Sequence, residues 1–109
     1  MELIQEINQK NNELNYSVKS LRVSGTAYAE AERDYKIALT KEALKLRTDG
    51  MAVTLIDKVL YGLPEIALLR YKRDCAEVVY KANQEAINSI KLQIRILDSQ
   101  ISREWGSNE

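Results

Sequence analysis

The sequence contains no His and no Phe, and its 109 residues include only one Cys, one Pro and one Trp. Without His, and with a single Cys, a zinc or other transition-metal site has no plausible set of ligands. The usual general base at neutral pH is also missing. The composition therefore predicts a protein without cofactor or catalytic machinery, and the lone Cys75 on an apolar helix face indicates a packing role.

Turn residues and long apolar runs are also scarce. Four Gly and one Pro are too few for an all-β chain of this length. No apolar run approaches the roughly 20 residues that cross a bilayer, and the start of the chain lacks the apolar core of a signal peptide. The formal net charge is zero, so nothing global attracts nucleic acid or a membrane surface. These features predict a cytoplasmic protein without membrane contact.

Two long segments carry apolar residues at alternating spacings of three and four. This pattern lasts for about six heptads in each segment, which a strand cannot reproduce. It predicts an all-α fold: a long antiparallel helical hairpin, coiled-coil-like, forming a single helical domain over 1–109. The first run is Ile4, Ile7, Asn11, Leu14, Val18, Leu21, Gly25, Tyr28, Glu32, Tyr35, Leu39, Glu42 and Leu46; the second is Ile66, Leu69, Arg73, Ala76, Tyr80, Asn83, Ile87, Ile90, Ile94, Leu97 and Ile101.

The segment between the two runs contains the turn. Gly50 is suited to the left-handed conformation that ends a helix, and Pro64 is suited to the first turn of the next one. The apolar residues between them indicate a short connecting helix. The predicted helices cover about 2–48, about 51–61 and about 64–105.

The position of this turn suggests a register for the hairpin, in which facing residue numbers sum to about 112. Leu21 then lies near Ile90, and the small residues of 25–31 lie across from Ala82 and Ala86. Gly25 weakens a helix by about 1 kcal/mol relative to Ala, so a kink there is the expected consequence and a full break is the alternative.

Two seam positions are polar, Asn11 and Asn83. An Asn in the seam of a coiled coil can specify its register or its oligomeric state at some cost in stability. The alternative is that the helical phase is displaced by one residue and both side chains face water.

The second helix has more apolar surface than one partner helix can cover. The connecting helix could cover the upper part of this additional stripe, but it cannot reach Leu92 and Ile96. Self-association into a helical bundle, or docking on another protein, would cover the whole stripe, and symmetric self-association is the more common solution. The residues of this candidate association surface are Leu68, Cys75, Val79, Leu92 and Ile96, with Ala82 and Ala86 between them.

An alternative function is DNA or RNA binding at the turn end. Residues 36–73 contain eight basic and four acidic side chains, and the inferred register brings Lys41 and Lys45 near Arg70 and Arg73. The competing interpretation is an ordinary solvated helix surface, since Arg70 and Asp74 have the spacing of an ion pair. The candidate nucleic-acid contacts are Lys41, Lys45, Arg70, Tyr71, Lys72 and Arg73.

Three stretches, 27–32, 69–74 and 96–105, with the sequences Ala-Tyr-Ala-Glu-Ala-Glu, Leu-Arg-Tyr-Lys-Arg-Asp and Ile-Leu-Asp-Ser-Gln-Ile-Ser-Arg-Glu-Trp, resemble a group of small helical proteins encoded by phages and prophages of Gram-positive bacteria. Members of that group accompany early genes for DNA replication and recombination. The resemblance implies a viral accessory protein in the cytoplasm of the host cell. The resemblance assigns no functional residues in this sequence, because the shared motifs are patterns on helix surfaces and not chemical signatures.

The leading hypothesis is therefore a non-enzymatic phage accessory protein that self-associates and binds a host or phage protein, modulating DNA metabolism or host defence. A further alternative is a secreted helical hairpin of the small-virulence-factor type. Those proteins carry Trp-x-Gly between their helices, whereas this turn contains Gly62 and Pro64, and Trp105 lies at the far end.

Overall fold

The protein is described by a computed structural model that covers residues 2–107. Within this range the chain forms three helices and no strand: α1 is Glu2–Thr48, α2 is Val53–Leu60 and α3 is Pro64–Ser107. The two long helices form an antiparallel hairpin and α2 lies at the turn. The predicted fold class is confirmed, and α1 continues through Gly25 without a break.

The heptad run of α3 forms the buried seam that its spacing predicts. Every residue of that run, from Ile66 to Ile101, is buried or half-buried. Asn83 belongs to this seam, and its side-chain amide donates a hydrogen bond to the carbonyl oxygen of Ser20 at 3.3 Å. The prediction that Asn83 is a seam residue is confirmed.

The buried face of α1 is displaced slightly from its predicted centre. Asn11 is exposed, while Lys10 before it is half-buried and pairs with Glu13 at 3.2 Å. Ser24, which precedes a seam position, is only 7% exposed. The seam assignment of Asn11 is therefore wrong, because α1 turns its small and short polar residues on one flank toward α3.

The end of α1 is set by Gly50, which has a φ of +93°. The amide of Gly50 donates to the carbonyl of Arg47 at 3.0 Å, and the amide of Met51 donates to the carbonyl of Leu46 at 3.1 Å. This pair of bonds is the Schellman arrangement, which satisfies carbonyls that a helix end leaves without partners. The predicted left-handed glycine is confirmed.

Replacing Gly50 with Ala should lower the free energy of unfolding by about 1 kcal/mol, because an L side chain is strained at positive φ. A Cβ at this position would meet no atom within 4 Å, so the cost is backbone strain alone. Gly62→Ala is the matched control. Its Cβ would meet only the carbonyl oxygen of Val59 at 3.6 Å, and its stability should stay equal or rise. Urea denaturation followed by circular dichroism measures both; equal losses would contradict the assignment.

The contacts of the chain divide it into two compact units. One unit consists of the described residues of Met1–Val23 and Tyr80–Glu109, and the other is Ser24–Val79. In the first unit the buried apolar residues are Ile87 and Leu97, both from the seam of α3.

The second unit contains the main hydrophobic cluster, built on Tyr35, Ile56, Leu60 and Ile66. Ile66 is fully buried at 0% exposure. Because Ile56 and Leu60 belong to α2, the short helix buries its apolar side together with the last part of α1. Half-buried residues complete the cluster: Ala38, Leu39, Ala43, Leu46, Met51, Leu63 and Leu69.

The packing of α2 makes the inferred register wrong. Ile90 shares a groove with Glu13, Tyr16 and Ser17 rather than lying beside Leu21. Asn83 bonds to Ser20, within the same unit, and both Ala82 and Ala86 are exposed. Since α2 takes the place beside the last turns of α1, α3 pairs with earlier α1 residues, by about one heptad.

Candidate functional site

The additional apolar stripe of α3 is exposed. Leu68 is 53% exposed, Val79 54%, Leu92 53% and Ile96 50%. Cys75 is a free and exposed cysteine on the same flank of the helix. We call Leu68, Cys75, Val79, Ala82, Ala86, Leu92 and Ile96 the α3 stripe.

The stripe lies beside the seam and is a second set of heptad positions. Leu68, Cys75, Ala82 and Ile96 recur at multiples of seven residues, and Val79 and Ala86 fill the intervening positions. Such positions share one face of a helix. Full burial of a Leu, Ile or Val side chain stabilises a protein by about 1.5–3 kcal/mol. A side chain that is half exposed therefore gains roughly half of that stabilisation within the monomer, and a binding partner could supply the rest.

The connecting helix does not cover the stripe. In the second unit, Leu68 and Val79 remain more than half exposed, while α2 packs its own Ile56 and Leu60 into the core cluster. The alternative in which α2 covers the upper part of the stripe is therefore wrong. Interaction with the thiol of Cys75, one turn away on α3, raises the pKa of Tyr71.

Five of the six candidate nucleic-acid contacts are exposed, namely Lys41, Lys45, Arg70, Tyr71 and Lys72. Lys72 lines a groove with Glu30 and Asp34, so its positive charge lies beside two carboxylates. The guanidinium of Arg70 lies over the ring of Tyr61, 5.8 Å from its centroid.

Arg73 is half-buried and faces the interior of the second unit. Its guanidinium lies over the Tyr35 ring, 4.7 Å from the centroid, and it donates two hydrogen bonds to Oδ1 of Asp74, at 2.8 and 3.0 Å. The hydrogen bond to Asp74 raises the pKa of Arg73, outweighing partial burial, which lowers it. The two hydrogen bonds to Asp74 use two of the five N–H donors of the guanidinium.

Sequence reasoning missed a polar cluster around Arg73. Burial raises the pKa of Tyr28, and the negative charges of Glu77 and Glu32 raise it further; the phenol is also hydrogen-bonded to Glu77. The signal was present in the heptad run, which contains Tyr28, Glu32 and Arg73 at seam positions. Aromatic and charged seam residues can specify one pairing of two helices, since any other pairing leaves them without partners.

Other kinds of site find little support in the described residues. Within 2–107, no group of three or more His, Cys, Asp or Glu side chains is arranged to hold a metal ion. No helix in that part of the chain is both long enough and apolar enough to cross a membrane. The shallow grooves are lined by mixed polar and apolar surface residues, such as Gln9, Glu13, Tyr16 and Ile90 in the first unit.

The fold and this surface define a class of protein: an all-α helical hairpin with an exposed apolar stripe on its second long helix. Comparisons of the chain with protein-family models, with curated proteins and with solved structures found no match.

Proposed function

We propose that this chain is a non-enzymatic interaction protein and that the α3 stripe is the surface through which it binds protein. The observation that carries the proposal is the half exposure of apolar α3 residues in each unit, Leu68 and Val79 in one and Leu92 and Ile96 in the other. Scattered surface hydrophobics need no explanation, but Leu68 and Cys75 in one unit, and Ala82 and Ile96 in the other, are separated by multiples of seven residues, which is the spacing of a helix-packing seam. The absence of His from the sequence supports a role without general-base catalysis.

The proposed setting is the cytoplasm of a Gram-positive host, where the protein would serve a phage or prophage. The support is the resemblance of the stretches 27–32, 69–74 and 96–105 to small phage proteins. In that setting, binding through the α3 stripe would modulate the activity of a host or phage protein of DNA metabolism or host defence. A rise of the transcript after prophage induction, together with the early genes, would be the expected expression pattern.

Site-specific photocrosslinking in cells tests the interaction surface directly. A photoreactive amino acid in place of Leu92 should give covalent adducts with protein, because this position lies in the stripe. The matched control replaces Gln84, an exposed residue of the same unit on a different face of the helix. We expect at least tenfold less adduct from position 84.

The size of the adduct identifies the occupant. An adduct of twice the chain mass is a second copy, and any other mass is a different protein. Equal adduct yields from the two positions, or none from position 92, would overturn the α3 stripe as an interaction surface.

A further inference from the structure

We propose that a shallow groove on the outer face of α1 binds an acidic amphipathic helix of another protein. The groove has a volume of about 500 Å³. We call it the α1 groove, and it is lined by five residues of one helix, all in the second unit: Lys36, Ile37, Thr40, Lys41 and Leu44. It lies on a different helix from the α3 stripe, so the inference goes beyond the proposed function.

The spacing of the lining residues is that of a hole for a side chain of a second helix. Four of them stand at a first position and three, four and seven residues after it: Ile37, Thr40, Lys41 and Leu44. Residues at these separations share one helix face. In a coiled coil, four residues of one helix surround a knob, which is a side chain inserted by the facing helix. Thr40 is shorter than Ile37 and Leu44 and leaves room for such a knob.

The apolar walls of the α1 groove are uncovered. Ile37 and Leu44 are each 60% exposed, whereas Tyr35 and Leu39 of the same helix pack into the core cluster. Apolar side chains one heptad apart are buried efficiently by the apolar stripe of another helix, which removes their surface from water. The occupant therefore carries an apolar stripe of its own, which the sugar-phosphate backbone of a nucleic acid lacks.

The charges around the groove determine the sign of the occupant. Residues 36–47 contain one acidic side chain, Glu42, and four basic ones: Lys36, Lys41, Lys45 and Arg47. All four basic residues are exposed, whereas Glu42 is half-buried. At 3.6 residues per turn, Lys41 lies about 40° around the helix from Ile37 and Glu42 about 140°, so the acid is on the other side of α1.

Lys41 is the cation with the least compensation from its own helix. Lys36 lies 3.5 Å from a carboxylate oxygen of Glu32, so its charge is partly offset. The positions three and four residues from Lys41 hold no acid; they are Ala38, Ile37, Leu44 and Lys45. Side chains beside a helical seam choose the partner by opposite charge, so carboxylates beside the apolar stripe of the occupant are favoured. The same groove of a second copy would bring lysine against lysine.

Synthetic peptides test the chemistry of the occupant, with the full chain as receptor. The first peptide has roughly three heptads with Leu at positions a and d and Glu at e and g, and we call it the Leu–Glu peptide. The second has Lys at e and g, and the third keeps Glu but has Ser at a and d. Fluorescence anisotropy should give the Leu–Glu peptide a dissociation constant at least ~30-fold lower than either of the others, because only it matches both charge and apolar surface.

Four variants locate the binding on the chain. Leu44→Gln and Lys41→Glu should each raise the dissociation constant of the Leu–Glu peptide by at least ~10-fold. The matched controls are Leu68→Gln and Lys58→Glu, exposed residues of the same unit outside the groove, and they should change it by less than about threefold. All four side chains are exposed, so circular dichroism should show unchanged helicity. Lys41→Glu should also bind the Lys peptide more tightly than the wild-type chain does, since the opposite charges are restored.

Several outcomes would overturn the inference. Equal affinity for the Glu and Lys peptides would remove the acidic occupant, and equal affinity for the Ser peptide would remove the apolar contact. Weakening by Leu68→Gln in place of Leu44→Gln would move the binding to the α3 stripe and leave the proposed function standing.

Other occupants of the groove are detected in the same experiment. A duplex oligonucleotide or phosphatidylserine vesicles that bind more tightly than the Leu–Glu peptide, and lose binding with Lys41→Glu, would replace the acidic helix by a nucleic acid or a membrane surface. Self-association of the wild-type chain that Leu44→Gln abolishes would place a second copy in the groove.

Discussion

Ile66→Ala should lower the free energy of unfolding by about 3–4 kcal/mol, the largest effect we expect from a single truncation in this chain. Ile66 is fully buried and belongs to the cluster in which all three helices meet, with Tyr35 of α1 and Ile56 and Leu60 of α2. Its truncation removes buried methyl and methylene groups and leaves a cavity, and both effects destabilise the folded state.

The matched control is Ile37→Ala, the same substitution in a long helix of the same unit. Ile37 is 60% exposed, so the change in stability should stay within about 0.5 kcal/mol. Urea denaturation followed by circular dichroism measures both variants, at equal protein concentration. Similar losses for Ile37 and Ile66 would contradict the cluster as the centre of folding stability.

Tyr35→Ala should cost about 3 kcal/mol, because it removes a buried aromatic side chain and the ring beneath the guanidinium of Arg73. Tyr35 is 5% exposed and the guanidinium lies 4.7 Å from its ring centroid. The two contributions are separable by a double-mutant cycle with Arg73→Met, which keeps the aliphatic stem. The expected coupling energy is about 1 kcal/mol, typical of a partly desolvated cation–π contact.

Arg70 and Tyr61 provide a matched second cycle. Their contact is longer, at 5.8 Å, and both side chains are exposed. The coupling energy between them should be below about 0.5 kcal/mol. If the coupling energy between Arg70 and Tyr61 were as large as that between Arg73 and Tyr35, burial would not be what strengthens the contact between Arg73 and Tyr35.

The contact between Arg73 and Tyr35 also changes how the basic residues are interpreted. From the sequence, Arg73 belongs both to a basic run and to the heptad seam, and these two patterns predict different roles. The structure places it in the seam, over Tyr35 and beside Asp74. Lys72 lines a groove together with Glu30 and Asp34. The tertiary contacts therefore favour a structural role for this part of the basic run.

The helices could be predicted because their signals are local. Heptad spacing defines α1 and α3, Gly50 ends α1, and Pro64 begins α3. Each signal depends on residues within one or two turns, so no knowledge of the partner helix is needed. For the same reason, the spacing of residues within α3 is sufficient to predict the apolar flank that carries Leu92 and Ile96.

The register could not be predicted, because it depends on where α2 packs. A symmetric turn would place Leu21 beside Ile90, and the apolar spacing alone is compatible with several pairings one heptad apart. The burial of Ile56 and Leu60 against α1 selects one of them. The same packing decides that Asn11 faces water while Asn83 bonds to Ser20.

The scarcity of Pro and Gly, together with two heptad runs on either side of one turn, determined by itself that this chain is an all-α hairpin, since those features act through local backbone and side-chain chemistry. Only the tertiary structure decided which residues face each other and that the α3 stripe stays exposed. Both the pairing and the exposure depend on α2. This helix packs its apolar side into the core cluster, and Leu68 and Val79 therefore stay exposed.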